Sequence, residues 1–195
     1  MISKLSKIIV SKLSDSQVIS YEDKDLYIYG YFILLSHIYF FIFTIIIGLI
    51  FNILPESILF YLSFTLIRSY AGGIHAKTEL ICMICTSVSI LLSMVAIKLC
   101  YMFSIYTLLT ILMSVATFVI IIFSPLDTKE KRLDEYEKKT YGKKAKLSAI
   151  LIFTLAFLFG VFDADIVLFP FAMSLTLEGI LLIIGKANDS KTKET

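Results

Sequence analysis

The sequence predicts an all-α, polytopic integral membrane protein with about six hydrophobic helices and an additional amphipathic helix at the N-terminus. Hydrophobic residues make up 58% of the 195 residues, whereas charged residues make up only 17%. The apolar residues form long blocks, and one block, residues 105–123, carries no charge at all. Such a chain has too little polar surface for a soluble domain, so we predict a single membrane domain over residues 1–195.

The first 25 residues are predicted to lie outside the bilayer core. They are rich in Lys and Ser and contain no uninterrupted apolar stretch, which argues against a cleaved signal peptide. Their apolar residues have roughly helical spacing, although Lys12 interrupts that face. This leader is therefore either a helix on the cytoplasmic surface of the membrane or a solvated segment.

The rest of the chain consists mainly of apolar blocks. A transmembrane helix needs roughly 20 apolar residues. A sixth block, residues 54–67, is short, so it either crosses the bilayer with help from its flanks or forms a re-entrant or interfacial helix. The five longer candidates are residues 27–51, 80–97, 101–123, 147–162 and 166–185.

The distribution of charge predicts the orientation of these helices. The loop of residues 124–146 contains seven Lys and Arg residues before Lys146, whereas the turn at residues 163–165 contains none. The positive-inside tendency places the long loop in the cytoplasm and the acidic turn outside. By alternation, residues 68–79 face the cytoplasm and a link at residues 98–100 faces outwards.

The net charge of +2 is too small to indicate nucleic-acid binding. Most basic residues lie beside apolar blocks, so the lipid bilayer is the predicted partner. The mixed-charge loop of residues 124–146 is either a solvated connector or short helix, or a binding site for an anionic peptide. Three cysteines do not make a disulfide framework, and no segment has the spaced donors of a zinc site, so we predict no metal and no cofactor.

One polar segment, residues 68–82, places His75 and Cys82 between two apolar blocks. Cysteine catalysis needs a thiol and an imidazole within hydrogen-bond reach. A straight helix through both residues would separate them by about 10.5 Å along its axis, so the chain must bend, and we expect the bend just before His75. Gly72 and Gly73, which tolerate positive φ, supply the bend.

Thr78 is a plausible N-cap for a new helix, which would put Cys82 in or just after its first turn. The helix dipole and a protonated His75 would favour the thiolate there, whereas Glu79 would oppose it. The pair by itself is equally compatible with a packed cysteine and a solvated loop histidine.

The pattern R-x4-G-x-H-A-x5-C in RSYAGGIHAKTELIC resembles the diagnostic segment of the AgrB family of peptide-pheromone processing proteins. The chain length and the order of apolar blocks agree with that family. The resemblance implies that His75 is the general base and Cys82 the nucleophile, and that Arg68 and Gly73 match other important positions. Arg68 would either anchor the helix at the interface or bind a substrate carboxylate.

The resemblance also implies a reaction. In the AgrB family, a membrane thiol protease cuts an AgrD-type precursor on its C-terminal side and leaves the N-terminal part as an acyl thioester. A peptide thiol then closes a thiolactone ring, or a hydroxyl a lactone ring, to give the autoinducing peptide used in quorum sensing. A homodimer is compatible with the family. This chain departs from the family pattern because no second Pro follows Pro125 in the long loop, which leaves the role of that loop open.

Other residues have structural and functional interpretations. Cys85 and Cys100 are predicted to be packing residues, and His37 a packed or hydrogen-bonded residue. Glu178 lies within the last apolar block, where it could orient the catalytic histidine, pair with Arg68 or form a hydrogen bond between helices. Two alternative functions remain: a peptide exporter or channel that depends on such midplane polar groups, and a scaffold that only recruits the precursor.

Overall fold

The structure, a computed structural model, describes residues 2–16, 18–72, 78–103, 105–126 and 134–191. Within these residues the regular elements are helices, apart from one isolated backbone bridge, which confirms the predicted all-α class. The helices are α1 (Ile2–Asp15), α2 (Lys24–Phe51), α3 (Leu54–Ala71), α4 (Glu79–Phe103), α5 (Tyr106–Phe123), α6 (Glu135–Val161) and α7 (Asp165–Lys191).

Five of these helices, α2, α4, α5, α6 and α7, are long and apolar enough to cross a membrane. The chain is therefore a multi-pass membrane protein. At the N-terminus, α1 is helical, as one of the two interpretations of the leader predicted. Its buried residues, Ile2, Ser6 and Val10, lie on one face, while Leu5 and Ile8 remain exposed.

The chain forms two compact units, Met1–Phe43 and Thr44–Thr195. The first unit contains α1 and most of α2. Only 11% of the most apolar window of α2 is buried, so most of its surface is available to lipid. The second unit contains the end of α2 and helices α3 to α7.

Helix α7 forms the centre of the second unit and packs against α3, α4, α5 and α6. Half of its apolar window is buried, including Leu175 and Leu182. Gly179 lets α5 approach closely, because a Cβ atom there would lie 2.9 Å from Cβ of Ala116. Small residues at such contacts are the usual way for membrane helices to pack tightly.

Helix α3, which contains the short sixth block, runs from one end of the second unit to the other. At its start, Glu56 accepts a 2.7 Å hydrogen bond from the hydroxyl of Tyr101, near the end of α4. At its end, the carbonyl of Ala71 accepts a 2.8 Å bond from the amide of Leu126, just after α5. Its 18 residues span about 27 Å, close to the thickness of a bilayer core. The sixth block is therefore one continuous helix, and it is not among the five helices that are long and apolar enough to cross a membrane.

The boundary between α4 and α5 differs from the prediction. Residues 98–100 lie inside α4, which continues to Phe103, and α5 begins at Tyr106. The prediction of an external link at residues 98–100 is therefore wrong. Lys98 does not interrupt the helix because its side chain is exposed, and no Gly or Pro lies nearby to end it.

Much of the predicted long loop is helical. Helix α6 begins at Glu135, well before its apolar part, so residues 135–146 belong to it. Asp134 and Glu137 form a capping box, in which each side chain accepts a hydrogen bond from the backbone of the other. This cap explains why the helix starts in a polar stretch.

Candidate active site

The candidate site lies at the end of the second unit where α3 ends and α4 begins. Two predicted site residues, Gly73 and His75, lie outside the described residues. The described part consists of the end of α3, through Gly72, and the start of α4, from Thr78. These two pieces flank the predicted histidine on both sides.

Cys82 lies in the first turn of α4. The helix begins at Glu79, and Oγ1 of Thr78 accepts a 3.4 Å hydrogen bond from the amide of Ile81. The carbonyl of Thr78 accepts a 3.1 Å bond from the amide of Cys82. The prediction that Thr78 starts a new helix is therefore confirmed. Cys82 belongs to that separate helix and not to a continuation of α3.

The first half of α4 stands apart from the packed interior. Its buried residues are Ile90 and four residues beyond it, and none of residues 79–89 is buried. Cys82 itself is partly buried. The described residues therefore cover the thiol only in part.

Arg68 lies one turn before the end of α3 and holds the residue that follows the helix. Its Nη1 donates a 3.0 Å hydrogen bond to the carbonyl of Gly72. Gly72 has φ of 77° and ψ of −156°, a conformation essentially restricted to glycine. The predicted bend is therefore present at Gly72.

Glu178 projects from α7 to the same place. It is fully buried, and its Oε1 lies 3.5 Å from Nη1 of Arg68. Of the three arrangements considered for Glu178, the structure has the ion pair with Arg68. Removing one member of a fully buried pair typically costs about 3–5 kcal/mol, and the cost is smaller here because the side chain of Arg68 is 26% exposed.

A second contact fastens the end of α3 to the link after α5. The amide of Leu126 donates to the carbonyl of Ala71 at 2.8 Å, and Gly72 and Leu126 form a parallel bridge. Pro125 lies against Gly142 of α6, where an added Cβ would meet its Cδ at 2.9 Å. Leu126 carries no local sequence signal for this role, since no pattern distinguishes it from other apolar residues.

Lysines line this end of the second unit. Nζ of Lys144 lies 5.2 Å from the ring centroid of Tyr70, which itself contacts the ring of Tyr141. Nζ of Lys186 lies 3.8 Å from the ring centroid of Phe123. Cation–π contacts of this kind contribute about 0.5–1 kcal/mol at exposed sites. They place aromatic and basic side chains together beside the end of α3.

The opposite end of the second unit has a polar crevice of about 550 Å3. Lys98, Asp163, Glu56 and Asp165 are among its lining residues. The last two are held by the hydroxyls of Tyr101 and Tyr106, respectively. Because α4 extends between Cys82 and Tyr101, this crevice is separate from the candidate active site.

The remaining predicted residues have mixed outcomes. Cys100 is buried, which confirms that it is a packing residue. Cys85 is exposed, so the prediction that it packs is wrong: it lies on the half of α4 that has no buried residue. His37 is an exposed residue of α2 that still interacts with its surroundings. Within the described residues, no three His, Cys, Asp or Glu side chains are placed to hold a metal ion.

Comparison with known proteins gives one family. The family model described as accessory gene regulator B matches residues 6–183. The chain is 28% identical over 161 residues to a putative AgrB-like protein of Clostridium perfringens strain SM101, covering 78% of this chain and 74% of that protein. It has the same identity and coverage with a putative AgrB-like protein 2 of C. perfringens strain 13. No solved structure matches this chain.

Proposed function

This chain belongs to the AgrB family, and from that premise we propose that it is a membrane cysteine endopeptidase with Cys82 as nucleophile and His75 as general base. Membership places the protein in accessory gene regulator peptide processing. Its proposed substrate is an AgrD-type precursor peptide, cut on the C-terminal side of the future pheromone. The observation that carries the proposal is the position of Cys82, in the first turn of a helix that begins directly after the segment containing His75.

The proposed reaction has two steps. His75 takes the proton of the Cys82 thiol, and the sulfur attacks the scissile carbonyl. The C–N bond breaks, the new amine leaves with the proton from His75, and the N-terminal part of the peptide remains as a thioester on Cys82. An internal thiol or hydroxyl of the peptide then attacks the thioester carbonyl. This attack closes the ring and releases the sulfur of Cys82, which regains a proton.

Three features of the site support this chemistry. The peptide dipoles at the start of α4 stabilise negative charge on a sulfur in its first turn. The absence of buried residues between positions 79 and 89 leaves room for a peptide chain beside Cys82. Partial burial of the thiol restricts water, which would otherwise hydrolyse the thioester before the ring closes.

The proposed site faces the cytoplasm, where a newly made precursor is present. Charge supports this orientation, because described lysines gather at the site's end of the second unit, whereas Asp163 and Asp165 lie at the other end. The lysines are Lys138, Lys139, Lys143, Lys144, Lys146 and Lys186.

Cysteine labelling tests the orientation. In a variant whose three native cysteines are replaced by Ser, a cysteine at Asp163 is expected to react in intact cells with a membrane-impermeant maleimide. A cysteine at Lys143 is expected to react only after lysis, since both native side chains are exposed but lie at opposite ends of the second unit. Labelling of position 143 in intact cells would reverse the proposed topology.

An acyl-enzyme tests the activity itself. The purified protein in liposomes is incubated with the synthetic precursor encoded beside its gene, quenched in acid and digested. We expect mass spectrometry to find the N-terminal part of the precursor attached to Cys82, and to find none in a sample containing Cys82→Ala. Cleaved product without any adduct on Cys82, under conditions that preserve a thioester standard, would contradict the proposal.

A further inference from the structure

A buried charge lies beside the point where the chain leaves α3 towards His75. Glu178 is fully buried, and within the described residues neither of its oxygens accepts a hydrogen bond. The positive charge that faces it is the guanidinium of Arg68, with Nη1 at 3.5 Å from Oε1. A lone carboxylate is unstable in an apolar interior. Each member of the pair therefore keeps the other in place.

The same nitrogen of Arg68 also determines a backbone position. Nη1 donates to the carbonyl of Gly72 at 3.0 Å, so one atom joins the carboxylate of α7 to the turn after α3. On the other side, the amide of Leu126 holds the carbonyl of Ala71. The turn is thus held by the side chain of Arg68 and by the backbone of Leu126, and it begins the segment that carries His75.

We propose that Glu178 and Arg68 are positioning residues for the dyad. The carboxylate fixes the guanidinium, the guanidinium fixes the Gly72 carbonyl, and the direction of that peptide sets how the chain enters the segment that contains His75. This inference rests on the proposed function, because it assigns a role in aligning that dyad. Neither residue contacts the reacting atoms in this mechanism.

A double variant separates positioning from simple structural support. Arg68→Met leaves the buried carboxylate of Glu178 without the positive charge that faces it, and Glu178→Met removes the carboxylate that faces the guanidinium, so each single variant should accumulate poorly. Combining them removes both charges and should restore accumulation in the membrane. If the pair only stabilised the fold, the double variant would cleave the precursor normally once its accumulation in the membrane is restored. If it positions the dyad, activity stays low, since the Gly72 carbonyl has lost its donor.

The rate of Cys82 alkylation by iodoacetamide is the decisive measurement, because it reports on thiol activation without any precursor. It is measured in a background of Cys85→Ala and Cys100→Ala. We expect His75→Ala to lower the rate by about tenfold. The alkylation rate of the double variant Arg68→Met/Glu178→Met should be within about twofold of the rate of His75→Ala. Lys144→Met, which removes a charge at the same end, should leave the rate unchanged.

The outcomes are distinct. A double variant that alkylates at the original rate would overturn the positioning role while leaving the dyad intact. A rate that His75→Ala does not change would overturn the dyad and, with it, this inference. If the double variant does not accumulate, Arg68→Lys decides the question: it keeps a charge against Glu178 but loses the forked geometry. A rate lowered at least about threefold supports the positioning role, and an unchanged rate refutes it.

Discussion

Cys82→Ala is expected to abolish cleavage of the precursor, lowering its rate by at least about a thousandfold. The reason is chemical, since the substitution removes the atom that forms the acyl-enzyme. Insertion and stability should be retained, because Cys82 lies on the half of α4 without buried residues. Cleavage is measured by quantifying the released C-terminal fragment, with membrane levels of the protein determined in parallel.

Cys85→Ala is the matched control. It removes a thiol from the same helix, three residues away and more exposed than Cys82, and should leave cleavage within about twofold of the original rate. Normal processing by Cys82→Ala would end the endopeptidase proposal and favour the exporter. Peptide binding without cleavage, by both the original protein and this variant, would instead favour the scaffold.

Gly72→Ala is expected to cause the second large loss. A side chain at φ of 77° and ψ of −156° is strained, and the added Cβ would lie 2.8 Å from the carbonyl oxygen of Leu126. Such strain costs roughly 1–3 kcal/mol. The turn must shift to relieve it, and because it leads to His75, we expect cleavage to fall by about tenfold to a hundredfold.

Two controls make this result specific. Gly30→Ala, in α2, has nothing within 4 Å of the new Cβ and should leave cleavage unchanged. Leu126→Ala combined with Gly72→Ala should not restore activity, because the clash is with a backbone atom. Activity and thermal stability are measured on detergent-purified protein. A Gly72→Ala variant as active as Gly30→Ala would show that the conformation of Gly72 is not required.

The all-α fold class and the location in a membrane follow from local properties of the chain. Hydropathy depends on the residues of one segment, so the apolar blocks predict where most helices lie. The start of α4 is equally local, because the hydroxyl of Thr78 accepts a hydrogen bond from the amide of Ile81. Predicted helix ends were less accurate where helices continue into polar sequence, as α6 does after its capping box.

The resemblance of one short segment supplied the candidate dyad, because catalysis constrains the types of residue and their spacing. The spacing of His75 and Cys82 by itself could not establish a site, since a straight helix would keep them apart. The structure adds the bend at Gly72 and the separate start of α4. The relative position of the two side chains remains a prediction.

Contacts between distant parts of the chain required the tertiary structure. Glu178 and Arg68 are 110 positions apart in the sequence, and the hydropathy of α7 does not indicate which polar group it meets. The attachment of Leu126 to the end of α3 is likewise invisible locally. Sequence patterns report which segments prefer the bilayer and where helices start. Helix packing alone determines which buried charges meet and which backbone atoms come within hydrogen-bonding distance.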